Sequence, residues 1–123
     1  MRYIMVLLLF VSGYASAHQW TPTYPVLKPS YASGILVANM ELFNSRKDIE
    51  YYEIGVFDKD FIAIPFATEA RIINLPYLGR KKIDVFIRDK DRYKAVYVCS
   101  KSKLIAKGSA ITSISSRICS KIK

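Results

Sequence analysis

The sequence predicts an all-β chain, with seven or eight short strands folded into a sandwich or a barrel. Three observations carry this expectation. Residues that fit a pleated, half-buried surface are plentiful: nine Tyr, six Phe and many Ile and Val, against only five Gly. Apolar residues alternate with polar ones over short stretches, and no segment sustains the spacing of an amphipathic helix. Clusters of Asn, Asp, Pro and Gly break the apolar runs roughly every ten residues, the rhythm of turns in a small β-fold.

The elements follow in order. After a lead that carries Pro22, Pro25 and Pro29, the first strand reads as Ile35–Phe43, an apolar run with Asn39 and Glu41 at alternate places. Asn44, Ser45, Arg46 and Lys47 form a polar turn, and residues 49–57 are strongly β through Tyr51, Tyr52, Ile54 and Val56. Asp58, Lys59 and Asp60 make the next turn. Residues 61–66 read as a short strand broken by Pro65, which lacks a ladder donor and so fits an edge or a crossover. Residues 70–75 follow, then a turn over 76–79, then residues 82–88 with Ile83, Val85 and Ile87 on one face. Asp89, Lys90 and Asp91 reverse the chain into residues 93–99, where Tyr93, Ala95, Tyr97 and Cys99 share a side. A basic loop over 101–108 leads to the last strand, 110–122, in which Ile114, Ile118 and Ile122 have one parity. The sequence shows no internal repeat, low-complexity tract or interdomain linker.

The N-terminus has the pattern of a cleavable secretory leader. Arg2 supplies a short positive region, residues 4–11 are uninterruptedly apolar, and Ala15-Ser16-Ala17 is a small-x-small cleavage site, which places the cut between Ala17 and His18. A membrane-spanning helix needs about 20 apolar residues, more than this run supplies. No Cys stands at the expected cut to take a lipid anchor. The expected layout is therefore a signal peptide over 1–17 and one domain over 18–123, 106 residues long. Such a protein is periplasmic or secreted, with no integral membrane span in its mature chain.

Charge is uneven along that domain. Arg2 leaves with the leader, so the net charge falls from +9 to +8. Residues 18–79 hold five basic and seven acidic groups, whereas residues 80–123 hold 13 basic and three acidic. The C-terminal half thus carries a positive field, suited to an acidic protein, an anionic lipid or a nucleic acid.

Two cysteines, Cys99 and Cys119, remain after processing. In an exported chain an even count points to a disulfide, and two cysteines allow one intramolecular pairing. A bridge across an antiparallel hairpin formed by the last two strands is the favoured arrangement; two free buried thiols, or a bond from one strand to the loops, are the alternatives. The chemistry of catalysis is poorly represented. His18, the only histidine, falls at the expected mature N-terminus, where order is uncommon. No Ser–His pair, nucleophile elbow, phosphate-cradling glycine loop or metal-ligand spacing occurs, so neither an enzyme nor a metal or cofactor site is expected. Asp58 with Asp60, and Asp89 with Asp91, are paired carboxylates, but each pair sits in a turn, where Asp is common for local hydrogen-bonding reasons.

Met40-Glu41-Leu42-Phe43-Asn44 followed by Tyr51-Tyr52-Glu53-Ile54 is similar to the strand, Asn turn and strand in the N-terminal immunoglobulin-like domain of the periplasmic pilus-chaperone (PapD-like) family. Ile72-Ile73-Asn74-Leu75-Pro76, running on to Lys82-Ile83-Asp84-Val85-Phe86-Ile87-Arg88, resembles its leucine-plus-turn segment and the strand after it. Asp91-Arg92-Tyr93 with Ala95-Val96-Tyr97-Val98 is similar to the charged turn and aromatic strand before the last strand, and residues 116–123 resemble that strand's basic end. Together these cover most of the expected mature chain.

The resemblance implies a single immunoglobulin-like β-sandwich of seven to eight strands, without the family's second domain. Some members join their last two N-domain strands by a disulfide, where Cys99 and Cys119 fall. The family anchors its client's terminal carboxylate on two basic residues, which here implies Lys28 with Arg117 or Lys121. It donates a strand to the client, and Ile114 and Ile118 are the matching apolar positions. The function implied is an exported protein-interaction module: a reduced chaperone, or an accessory of a pilus, secretion or conjugation apparatus. Its partner, an apparatus subunit, would dock through sheet edge strands and a basic face. The charge alone admits another partner, an anionic polymer such as exported DNA or lipopolysaccharide, with Tyr77, Tyr93 and Tyr97 near the cationic run able to stack on bases.

Overall fold

The computed structural model describes residues 18–103 and 116–123. The expected leader, residues 1–17, most of the basic loop and Ile114 lie outside the described residues. Two four-stranded sheets account for the fold. In chain order the strands are β1 (Gln19–Thr21), β2 (Lys28–Pro29), β3 (Ile35–Phe43), β4 (Tyr51–Phe57), β5 (Ile72–Asn74), β6 (Arg80–Arg88), β7 (Tyr97–Lys103) and β8 (Arg117–Lys121). All pairings are antiparallel. The first sheet is built on β3, which pairs with β6 along its whole length on one side and with β1 and β2 on the other. The second has the order β5-β4-β7-β8. Among the described residues no helix is long and apolar enough to cross a membrane.

Alternation explains why these two sheets face each other. Leu36, Ala38, Met40 and Leu42 of β3 and Ile83, Val85 and Ile87 of β6 are buried, while Asn39, Lys82 and Asp84 between them face water. Tyr52, Ile54 and Val56 of β4 and Val98 of β7 supply the opposing layer. This inward-outward period of two on both sheets makes a sandwich with one apolar core.

Two connecting segments change sheets and so cover parts of the sandwich's edges. Residues 19–29 leave β3 after β1, and the carbonyls of Thr23 and Pro25 accept from the N–H groups of Lys121 (3.1 Å) and Lys123 (2.9 Å) beside β8. The segment then returns to β3 as β2. Trp20 locks this strap: it is buried, and its indole Nε1–H donates to the Val98 carbonyl at 3.0 Å. Opposite, Ala63 bridges to Phe57 of one sheet and Ala67 to Phe86 of the other. The segment over 61–66 expected as a short strand is instead a crossover with isolated bridges, the second of the two positions Pro65 allowed.

Three further expectations are corrected. The strand expected over 93–99 begins at Tyr97 and runs to Lys103. Residues 89–95 wind instead: a 3₁₀ turn at Asp89–Asp91 is continued by the N–H groups of Lys94 and Ala95, which both donate to the Asp91 carbonyl at 3.0 Å. Tyr93 and Ala95 alternate in sequence without being strand residues. Residues 101–103, expected in a basic loop, lie in β7 because Tyr51–Glu53 of β4 extend the ladder opposite them. His18, expected to be unordered, is buried.

Candidate functional site

The β7–β8 hairpin gathers most of the residues to which a role was attached. Its register pairs Tyr97 with Lys121, Cys99 with Cys119 and Lys101 with Arg117. Cys99 and Cys119 form a disulfide across it, with a Cα–Cα separation of 4.1 Å. That spacing belongs to the non-hydrogen-bonded pairs of an antiparallel ladder, whose backbone groups point away from each other. The N–H groups of Arg117, Cys119 and Lys121 are therefore directed away from β7. The strap takes that of Lys121, and among the described residues no backbone acceptor meets those of Arg117 and Cys119. Among the described residues, the edge of β8 is covered in its second half and uncovered in its first.

The other named residues divide between the sheets. Lys28 is exposed on β2 of the first sheet, paired with Val37. Arg117 and Lys121 are exposed on β8 of the second, where the Arg117 guanidinium lies 5.4 Å from the centroid of the Phe57 ring. Lys121 is tied by its backbone to the strap that leads to Lys28. Ile118 is half-buried and packs against the core. Of the tyrosines, Tyr97 is stacked on Phe61 at 4.7 Å between centroids, Tyr93 carries Arg92 over its ring and Tyr77 carries Lys47.

Beneath the open half of the edge the interior turns polar, since β7 presents Ser100 and Ser102 inward after Val98. His18 fills the space. Its Nε2 lies 2.8 Å from Ser100 Oγ and 3.3 Å from the Ser100 carbonyl oxygen, which can only accept, so Nε2 carries the proton. Nδ1 then accepts from Ser116 Oγ at 3.3 Å. Burial, reinforced by the nearby Arg46 guanidinium and only partly offset by the Ser100 bond, lowers the imidazole below its ordinary value of 6.5. The Tyr52 ring stands 4.7 Å from the imidazole. Its phenol is pushed up to about 12, again chiefly by burial.

The Tyr52 hydroxyl donates to Asn44 Oδ1 at 2.5 Å, and Asn44 completes the network. Its Nδ2 donates to the carbonyls of Ile49 (2.7 Å) and Leu75 (2.8 Å), and Oδ1 also accepts from the Arg46 N–H at 2.9 Å. Both amide hydrogens and both lone pairs are used, which fixes the β3–β4 turn to the end of β5. Arg46 in turn grips Asp48 through two bonds of 3.0 and 2.6 Å, and this holds the carboxyl below the usual carboxylate range. Sequence reading placed Asn44 in a turn and overlooked this network. Its one visible trace is two serines at inward positions of an apolar-patterned strand.

Two antiparallel sheets, a disulfide across the last hairpin and a crossover at each edge define an immunoglobulin-like β-sandwich. The fold is similar to that in the crystal structure of the E. coli chaperone DraB, with a TM-score of 0.62 and 14% sequence identity. The match covers 86% of this chain and 53% of that one, so the present chain spans about half the length of DraB. No protein-family model and no curated protein matches the sequence.

Proposed function

We propose that this protein is an exported protein-interaction module of chaperone type, which takes a subunit of a pilus, secretion or conjugation apparatus along the open half of its β8 edge. The observation that carries the reading is the state of that edge. Two adjacent outward N–H groups, Arg117 and Cys119, have no backbone acceptor among the described residues, on a strand held in register by a disulfide. An extended segment of a partner can add there as a further strand, with main-chain bonds giving affinity. Likeness of fold to a chaperone supports the same reading. Lys121 and Lys28 are assigned to the partner's carboxylate, since the strap joins their strands; Ile118, and Ile114 outside the described residues, are assigned to its apolar contact. The leader over 1–17 delivers the chain to an oxidising compartment, where the Cys99–Cys119 bond is at home. No catalytic step is assigned to it.

The test is co-purification of the full chain from periplasm, followed by hydrogen exchange on what it brings down. The expected result is a one-to-one complex with a subunit that aggregates alone, in which the Arg117 and Cys119 amides become protected. Lys121→Ala should weaken the complex without changing the fold. A complex whose formation leaves the Arg117 and Cys119 amides exchanging freely removes the edge from the interaction. Purification of the chain alone, beside an aggregated subunit, removes the chaperone reading.

A further inference from the structure

The outer face of the second sheet holds a pair of cations that no carboxylate answers. Lys101 and Arg117 are directly opposite across β7 and β8. Two residues from the disulfide, they repeat its non-hydrogen-bonded geometry, in which facing side chains lie closest. Like charges placed so repel and cost stability. Glu53 of β4 is also opposite Lys101, but its carboxylate is engaged by Lys103 at 2.6 Å. The other ion pairs among the described residues involve Arg46, Arg80, Arg88 and Arg92. Every acidic residue of the chain lies between Glu41 and Asp91, within the described part, so no hidden carboxylate serves these two.

Between them lies a depression of about 240 Å³, floored by Gly55 and Cys99 and walled by Glu53, Phe57, Lys101 and Arg117. Gly55 keeps it open: a Cβ there would come within 2.8 Å of the Phe57 ring, which lies across the glycine. The ring in turn carries the Arg117 guanidinium, which is thereby held at the rim.

We infer that this depression binds a phosphate group between Lys101 and Arg117. Two unanswered positive charges match a phosphate monoester, which carries about −1.5 to −2 near neutral pH, better than a carboxylate, which carries one charge. The guanidinium offers a fork of two parallel donors and the ammonium a third point of attachment. The phosphate is either free inorganic phosphate or the headgroup of a lipid. This site uses side chains on the sheet face, and it stands or falls separately from the strand-edge reading, which uses backbone groups.

The experiment is titration of the full chain with inorganic phosphate at constant ionic strength, read by amide chemical shifts, with parallel sedimentation against phosphatidylcholine vesicles with and without phosphatidic acid. Saturable shifts are expected at Gly55, Lys101 and Arg117. Lys101→Gln and Arg117→Gln should each weaken phosphate about tenfold, the loss of one charge-assisted contact, while Lys82→Gln on the other sheet leaves it unchanged. Glu53→Gln removes the only carboxylate from the rim and should tighten binding, a gain that misfolding cannot imitate. Sedimentation with phosphatidic acid vesicles, lost in both glutamine variants, identifies a lipid headgroup; saturation by phosphate with no sedimentation identifies the free anion. Absence of saturable shifts at these amides overturns the site, as does binding in the two variants as tight as in the wild type. Acetate saturating as tightly as phosphate overturns the choice of ligand.

Discussion

His18 sits where a positive charge is costly, and this gives the molecule a pH dependence whose sign follows from the geometry. Its imidazole is buried, its Nε2–H is used on Ser100, and the Arg46 guanidinium is close enough to disfavour a second proton. The folded state therefore binds that proton less readily than the unfolded state, whose histidine titrates near 6.5. Stability contributed by neutral His18 is full above pH 6.5 and is lost as pH falls from there toward the lower folded value. Two neighbours titrate outside that window: Asp48 is held below the carboxylate range, and Tyr52 ionises only near 12. Urea midpoints measured between about pH 8 and pH 5 should fall for the wild type and stay flatter for His18→Gln, which keeps polar atoms but does not titrate. Equal slopes in the two proteins would remove His18 as the cause.

At the scale of the element, the β7–β8 hairpin joins the fold to its candidate site, and the disulfide fixes its register. A one-residue slip would turn Arg117 and Lys121 inward and Ser120 outward, because side chains alternate. The bond closes a separation of 20 residues, so Cys99→Ala with Cys119→Ala should cost about 2–4 kcal/mol, seen as a lower urea midpoint. Reduction of the wild type should match the double variant; a difference would show that packing of the sulfurs, rather than the covalent link, supplies the effect. This bond was legible from the leader-like N-terminus and the even cysteine count, and the hairpin from the order of segments. Strands β3 and β6 were legible too, since each alternates cleanly against one core. The start of β7 was not, because Tyr93 and Ala95 imitate strand alternation while the Asp91 carbonyl gathers the backbone into a turn. β2 was hidden by Pro29, and β1, three residues long and followed by Pro22, was too short to show an alternation. Arg117 was visible as a cation, but its pairing with Lys101 required a register that local pattern does not encode.

At the scale of the whole molecule, a two-sheet sandwich must decide what happens at its four edges, and here the chain itself occupies several of them. The strap over residues 19–29 covers one corner of each sheet, and the Ala63 and Ala67 bridges stitch the opposite side. Among the described residues, the part of the β8 edge without a backbone partner begins where the strap stops. Trp20 decides that point, since its ring is buried against the core and its indole bonds the Val98 carbonyl. Trp20→Ala removes both and should cost about 3–5 kcal/mol, the range for truncating a large buried aromatic. Its local signature is more telling than the total. The Lys121 and Lys123 amides, which donate to Thr23 and Pro25, should lose exchange protection, whereas those of Leu36 and Val85 in the β3–β6 ladder should fall only to the new global stability. If Lys121 and Lys123 retain their protection relative to that ladder, the strap holds β8 without Trp20, and the boundary between the closed and open halves of the edge is set by the backbone of residues 23–25 alone.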